Sequence, residues 1–193
     1  MFNKSVISEE ELIQKCKQGN LKHQEKLYMH FYSYAMGVGL RYLSDRDDAL
    51  EVVNDSFIKV FKSIASFKNE NNFKPWLRKI VVNTALDRRR KDLKHHNHSD
   101  LESAENVSFA PQAIAQLNSQ DILKLLDTLP NLQRTVFNMY EIDGYNHEEI
   151  SELLQISASS SRVNLSRAKE KLREALRSEH SEYERNDRSG TYR

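Results

Sequence analysis

Residues 146–176, NHEEISELLQISASSSRVNLSRAKEKLREAL, carry two runs of helical periodicity broken by one tight turn. No other stretch narrows the fold as much. Asn146 followed three residues later by Glu149 has the spacing of a capping box, in which each side chain satisfies the other residue's backbone amide. Ile150, Leu153 and Leu154 then form one apolar face. Gln155-Ile156-Ser157 reads as the turn, with Ser157 as N-cap of the helix that follows. In that second helix Leu165, Ala168, Leu172 and Leu176 recur on the side expected to be buried. A step of about 100° per residue puts Ser159, Ser160, Val163 and Arg167 opposite, with Arg162, Asn164 and Ser166 on the flanks. Such a face suits the major groove, where arginine reads guanine, asparagine reads adenine and a valine methyl meets thymine. An ordinary helical hairpin with a solvated polar face has the same periodicity, so both readings stand at this point.

The rest of the chain repeats the helical pattern. Only three prolines and five glycines interrupt 193 residues, so the expected fold class is all-α, with two small helical domains joined by a flexible linker. Lys plus Arg number 29 against 28 Asp plus Glu; a basic surface therefore requires segregation of charge along the chain. That segregation is present. Lys74, Arg78, Lys79, Arg88, Arg89, Arg90, Lys91 and Lys94 crowd one stretch, and Asp45, Asp47, Asp48, Glu51 and Asp55 crowd another. A single cysteine, Cys16, excludes an internal disulfide and a cysteine pair for zinc. With no basic-then-apolar leader and no apolar run of membrane-spanning length, the expectation is a soluble, cytoplasmic protein without membrane insertion.

Ser8 and Glu11 have capping-box spacing at the start of a first helix, whose inner side is Leu12, Ile13 and Cys16. A second, from about Lys22 to Tyr42, places Leu27, Phe31, Tyr34 and Val38 on one side. Ser44 and Asp45 cap a third that runs to about Ala65 and buries Ala49, Val52, Val53, Val60, Phe61 and Ile64. Its other face is acidic, which complements the helix dipole and also offers a docking surface for a basic partner. Residues 66–74, SFKNENNFK, read as a loop. Pro75 then lies in the first turn of a fourth helix that buries Trp76, Leu77, Ile80, Val81 and Thr84. Phe67, Phe73 and Trp76 bordered by Lys68, Lys74, Arg78 and Lys79 combine ring faces for unpaired bases with cations for the backbone. Residues 94–112 lose periodicity and read as the linker. Leu117, Ile122, Leu123 and Leu126 open a second domain from about residue 113, Asn131 caps a helix burying Val136, Phe137 and Tyr140, and residues 178–193 read as a disordered tail.

Catalytic constellations fail. His147-Glu148 begins like a zinc-protease motif, but Ser151 stands where the second histidine belongs, and no Walker loop or Gly-x-Ser-x-Gly elbow occurs. Gly37 and Gly39 precede Tyr42 where a third glycine is needed. His95, His96 and His98 lack a carboxylate or cysteine to complete a metal site. No enzymatic activity, cofactor or metal is expected.

The order of features resembles the bacterial sigma-70 family of RNA polymerase initiation factors, of the extracytoplasmic-function (ECF) type that keeps only regions 2 and 4. DALEVVNDSFIKVFKSI (residues 48–64) and FKPWLRKIVVNTALDRRR (residues 73–90) resemble region 2; LPNLQRTVFNMYEIDGYNHEEISELLQISASSSRVNLSRAKEKLREAL (residues 129–176) resembles region 4. The likeness implies region 2 over residues 8–93, a linker over 94–112 and region 4 over 113–177. It implies that Asp48, Val52, Asn54, Asp55 and Phe57 dock on the clamp helices of the polymerase beta-prime subunit. It further implies that the loop and basic helix, through Phe67, Lys68, Asn69, Phe73, Lys74, Trp76, Arg78, Lys79, Asn83, Arg88 and Arg89, capture the minus-10 promoter element as it melts. Arg134, Ser159, Ser160, Arg162, Val163, Asn164 and Arg167 would meet the minus-35 element, with region 4 also touching the beta flap. The linker acids Asp100, Glu102 and Glu105 would thread toward the polymerase active centre, and an anti-sigma protein is an implied further partner.

The departures are local. Family members commonly carry Leu-Gly-Ile-Ser at the turn and Gly-Thr-Val-Lys-Ser-Arg in the recognition helix. Here Gln155 replaces the turn glycine and Ser159-Ser160-Ser161-Arg162-Val163-Asn164 the hexapeptide. Ser161 falls on the buried side, where its hydroxyl is expected to bond back to its own helix. Two other readings compete: a polymerase-independent helix-turn-helix regulator, and a helical scaffold or anti-regulator that binds only proteins.

Overall fold

The computed structural model of the chain describes the backbone of residues 7–68, 72–95 and 119–190, and the side chains of 7–68, 72–90 and 121–177. Every regular element among the described residues is helical. The chain divides into two compact units, Met1–Asn97 and His98–Arg193. None of the described helices is long and apolar enough to cross a membrane.

The first unit comprises α1 (Glu9–Lys17), α2 (Leu21–Tyr42), α3 (Arg46–Ser63), a short 3₁₀ turn (Ile64–Ser66) and α4 (Phe73–His95). Local caps set the starts. Ser8 Oγ accepts the Glu11 amide at 3.2 Å, Asn20 Oδ1 the His23 amide at 3.3 Å, and Asp45 Oδ1 the Asp47 and Asp48 amides at 2.8 and 3.0 Å. Gly19, at φ +76°, takes the left-handed conformation that lets α1 reverse into α2. Leu12, Cys16, Leu27, Phe31, Val53, Val60, Leu77 and Val81 fill the core between the four helices. Burial pushes the Cys16 thiol up to about 11, so it packs as an apolar side chain and stays protonated.

In the second unit α5 (Ser119–Asp127) and α6 (Asn131–Phe137) lead through a π-helical turn (Asn138–Ile142) to α7 (His147–Leu154) and α8 (Ala158–Gly190). All six residues from Arg134 to Met139 are buried, so α6 and its continuation run through the middle of the unit. Three expectations are corrected here. Pro130, not Asn131, occupies the N-cap of α6, and no side chain caps it. Tyr140 is exposed, because the wider π turn, closed by Asp143 N–H to the Asn138 carbonyl at 2.9 Å, advances each residue less around the axis and swings Tyr140 off the buried side. Finally, α8 continues past Arg177 to Gly190, where a disordered tail was expected. No proline interrupts that stretch, its glutamates and arginines favour helix, and the first glycine stands at its end.

Candidate nucleic-acid interface

In the first unit the site is built by α4 and the turn before it. Phe67 and Phe73 bracket residues 69–71 and turn inward: their rings meet at 5.5 Å, Phe73 meets Phe31 at 4.7 Å, and Trp76 packs on Phe67 at 4.9 Å. The expectation that Phe67 and Phe73 present free stacking faces is corrected, because both are buried. The burial of each ring in this cluster outweighs a place in solvent. The half-buried Trp76 caps the cluster. Beside it opens a cleft of about 310 Å³ lined by Glu9, Glu10, Ile13, Phe67, Asn72, Phe73 and Lys74. Lys68, Lys74 and Lys79 are exposed, and Arg78, Asn83 and Arg89 half-buried; Lys74 Nζ also stands 5.9 Å from the Tyr34 ring centre. Asn69 lies outside the described residues, as do His96, His98, Asp100, Glu102 and Glu105.

Arg88 belongs elsewhere than expected. Its Nη2 donates to Asp48 Oδ1 at 2.7 Å and its Nη1 to Glu51 Oε2, tying the basic helix to the acidic side of α3. Arg88, expected on the DNA-facing side, is thus engaged here in an internal clamp. On α3 itself Val52 and Phe57, expected at the docking surface, are buried and support the acidic face from below. Asn54 accepts a 2.9 Å hydrogen bond from the Tyr28 hydroxyl. Asp55 is exposed, and Ile58 beside it is 51% exposed. Further along α4, Lys59 and Arg90 hold Asp87 at 3.4 and 2.7 Å.

In the second unit the helix-turn-helix is stapled at each joint. The Asn146–Glu149 capping box is complete, with bonds of 2.9 and 2.8 Å. Gln155 adopts φ +56° to end α7, a left-handed conformation that costs a side-chain-bearing residue about 1 kcal/mol. Ser157 Oγ accepts the Ser160 amide at 3.0 Å and starts α8. On the outer face Ser159 and Arg162 are exposed, and Ser160, Val163, Asn164 and Arg167 half-buried. Arg162 Nη2 donates to Glu148 at 3.1 Å. Asn164 Nδ2 donates to the Ser160 carbonyl at 2.9 Å and lies 3.3 Å from the Ser160 hydroxyl, so its amide is engaged with its own helix and must turn outward to pair with adenine.

Two polar residues of this unit depart from expectation. Arg134 is 1% exposed and paired with Asp127, so it is not presented toward the minus-35 element as expected; from Arg134 onward α6 is enclosed and carries the guanidinium inward with it. Ser161 is fully buried, and its hydroxyl, expected to bond to its own helix, lies 2.9 Å from His147 Nδ1. The His147 ring also stacks on Tyr140, centroids 4.4 Å apart. Neither pairing is readable from helical periodicity, which reports a residue's side of its own helix and not what stands opposite.

Comparison with known proteins aligns with both halves of this geometry. Residues 27–94 match the family Sigma-70 region 2, and residues 119–172 match the family Sigma-70, region 4. The ECF RNA polymerase sigma-E factor of Haemophilus influenzae is 29% identical over 176 residues, covering 85% of this chain and 93% of its own. The RNA polymerase sigma-H factor of Pseudomonas aeruginosa is 24% identical over 181 residues, covering 87% and 93%. Among solved structures, the sigma factor RpoE in complex with the anti-sigma factor NepR from Bartonella quintana aligns with TM-score 0.48 and 22% identity, over 79% of this chain and 96% of that one.

Proposed function

This chain belongs to the sigma-70 family of RNA polymerase initiation factors, as an ECF-type member, and from that membership we propose how its two units divide promoter binding. The protein binds core RNA polymerase and directs it to promoters. In the proposed division, Asp55 leads the exposed side of α3 onto the beta-prime clamp helices, with Asp48 and Asn54 at its margins. Lys68, Lys74, Trp76, Arg78, Lys79, Asn83 and Arg89 hold the minus-10 strand along α4, its flipped base entering the adjoining cleft. Ser159, Ser160, Arg162, Val163, Asn164 and Arg167 face the minus-35 duplex, and the same unit meets the beta flap. Such work on RNA polymerase belongs in the bacterial cytoplasm.

The observation that carries this reading is Lys74, in the first turn of α4, on the wall of the 310 Å³ cleft, in the same chain as a fully capped helix-turn-helix. A polymerase-independent operator-binding regulator has no use for the cleft, and a scaffold that binds only proteins has no use for either feature. Promoter-specific initiation by purified core polymerase plus this chain, on a genomic template library, is the direct test; no initiation above core polymerase alone would sink the reading. Arg167→Ala is expected to weaken minus-35 binding about tenfold with core binding intact. Asp55→Ala is expected to weaken core binding by about 1 kcal/mol, roughly fivefold, with isolated-duplex binding intact. Filter binding and fluorescence anisotropy measure the two separately, and normal values for both variants would mean that the faces are wrongly assigned.

A further inference from the structure

His147 begins α7, directly after the Asn146 cap, and reaches across to α8. There its Nδ1 lies 2.9 Å from the hydroxyl of Ser161 on the buried side of the recognition helix. Ser161 is fully buried, and its backbone amide is already given to the Ser157 carbonyl at 3.0 Å. A buried hydroxyl without a partner is costly, so the His147 ring compensates a serine that stands where the family hexapeptide has valine. The ring is fixed on its other side by the Tyr140 stack at 4.4 Å, and the joint is flanked by the Arg162–Glu148 pair at 3.1 Å and the Lys169–Glu141 pair at 2.7 Å.

We propose that His147 is a positioning residue for promoter recognition: its hydrogen bond to Ser161 and its stack on Tyr140 set the angle at which α8 presents Ser159, Val163 and Arg167 to the groove. The inference rests on the reading of α8 as the minus-35 helix. Nothing in it requires His147 to touch DNA.

The pin has a protonation state. In the neutral ring with its hydrogen on Nε2, the Ser161 hydroxyl donates to Nδ1; protonation puts a hydrogen on Nδ1, which then donates to the Ser161 oxygen, so the bond reverses and the hydroxyl hydrogen must find another acceptor inside the buried joint. The charged groups acting on the ring are Glu148 from α7 and Arg162 and Lys169 from α8, with Lys169 itself paired to Glu141 of the π turn, and Tyr140 stacks on the ring. Burial first, then the Arg162 and Lys169 charges, hold the imidazole below its ordinary value, with Glu148 opposing. The unfolded chain thus takes its proton at higher pH than the folded one. The contribution of the pin is complete above the ordinary imidazole range and is lost as pH falls through that range toward the lowered folded value.

The test uses the full chain bound to core polymerase, selecting from a duplex library randomised across both promoter elements. The parent is expected to enrich a minus-35 sequence. Ser161→Ala, which removes the hydroxyl, and His147→Phe, which keeps a ring on Tyr140 without the hydrogen bond, are expected to lower that enrichment about tenfold and leave minus-10 enrichment in place. His147→Asn, whose amide can occupy the Nδ1 position, is expected to restore most of it and to abolish the loss of enrichment that the parent shows on acidification. Melting curves keep misfolding apart from mispositioning, and if Ser161→Ala fails to fold, the His147→Phe and His147→Asn pair decides alone. Full minus-35 enrichment in both His147→Phe and His147→Asn, with the parent's acid loss unchanged, overturns the proposal. A parent that enriches minus-10 but no minus-35 sequence overturns instead the assignment of α8 on which it rests.

Discussion

Phe73→Ala is expected to cost the first unit about 4 kcal/mol of stability. The ring is 1% exposed and lies within 4.7 Å of Phe31 and 5.5 Å of both Phe67 and Trp76, centroid to centroid. Alanine leaves a cavity that three other rings cannot all close at once. Against a total stability of about 5–15 kcal/mol for a domain, that loss brings the unit close to unfolding at physiological temperature. Urea denaturation of the full chain, read at the first unit's transition, measures it. Lys74→Ala, one residue on and exposed, should shift stability by no more than about 0.5 kcal/mol. A Phe73→Ala protein with parental stability but defective promoter opening would mean that the ring works in solvent as a stacking platform, against its burial.

The second large effect is expected at Arg134. Arg134→Ala should destabilise the second unit by about 3 kcal/mol, because it removes a long side chain that is 1% exposed. Asp127, the partner, is 47% exposed and stays solvated when abandoned, so most of the loss is packing and little is stranded charge. Arg134→Met keeps the bulk and should recover more than half. A phosphate-contacting arginine would behave in the opposite way: parental melting, with the salt slope of DNA binding reduced by about 1. Thermal melting and a salt titration of duplex binding on the same two variants separate these outcomes.

What the sequence discloses is what neighbours in the chain decide. Ser8, Asp45, Asn146 and Ser157 cap helices through amides two or three residues on, so their roles are visible in a short window. The centres of the buried stripes of α2, α3 and α8 follow from spacing, whereas Tyr34, Phe61 and Leu176, expected within them, are half-buried at their edges. Arg88 is different: its carboxylates lie 40 and 37 residues earlier, and only the packing of α3 on α4 brings them together. His147 and Ser161 are 14 apart across the turn. Arg134 stands in a stretch whose apolar residues point to one buried side, whereas from Arg134 to Met139 every residue is enclosed. Val52 and Phe57 show the limit from the other direction, since a motif places residues in a helix without saying which of them reach its surface. The turn departure was legible and physically sound: Gln155 does occupy the left-handed position that glycine fills more easily.

The Arg88 clamp gives the acidic side of α3 an intramolecular counterion. Any cationic partner that approaches Asp48 and Glu51 must compete with a guanidinium already held 2.7 Å from Asp48. Added salt then acts in two directions at once, screening the incoming partner and loosening the resident arginine. Docking on this face should accordingly respond to ionic strength less steeply than its carboxylates alone would dictate, and a displaced Arg88 would add its positive charge to α4 at the moment when that helix meets the promoter.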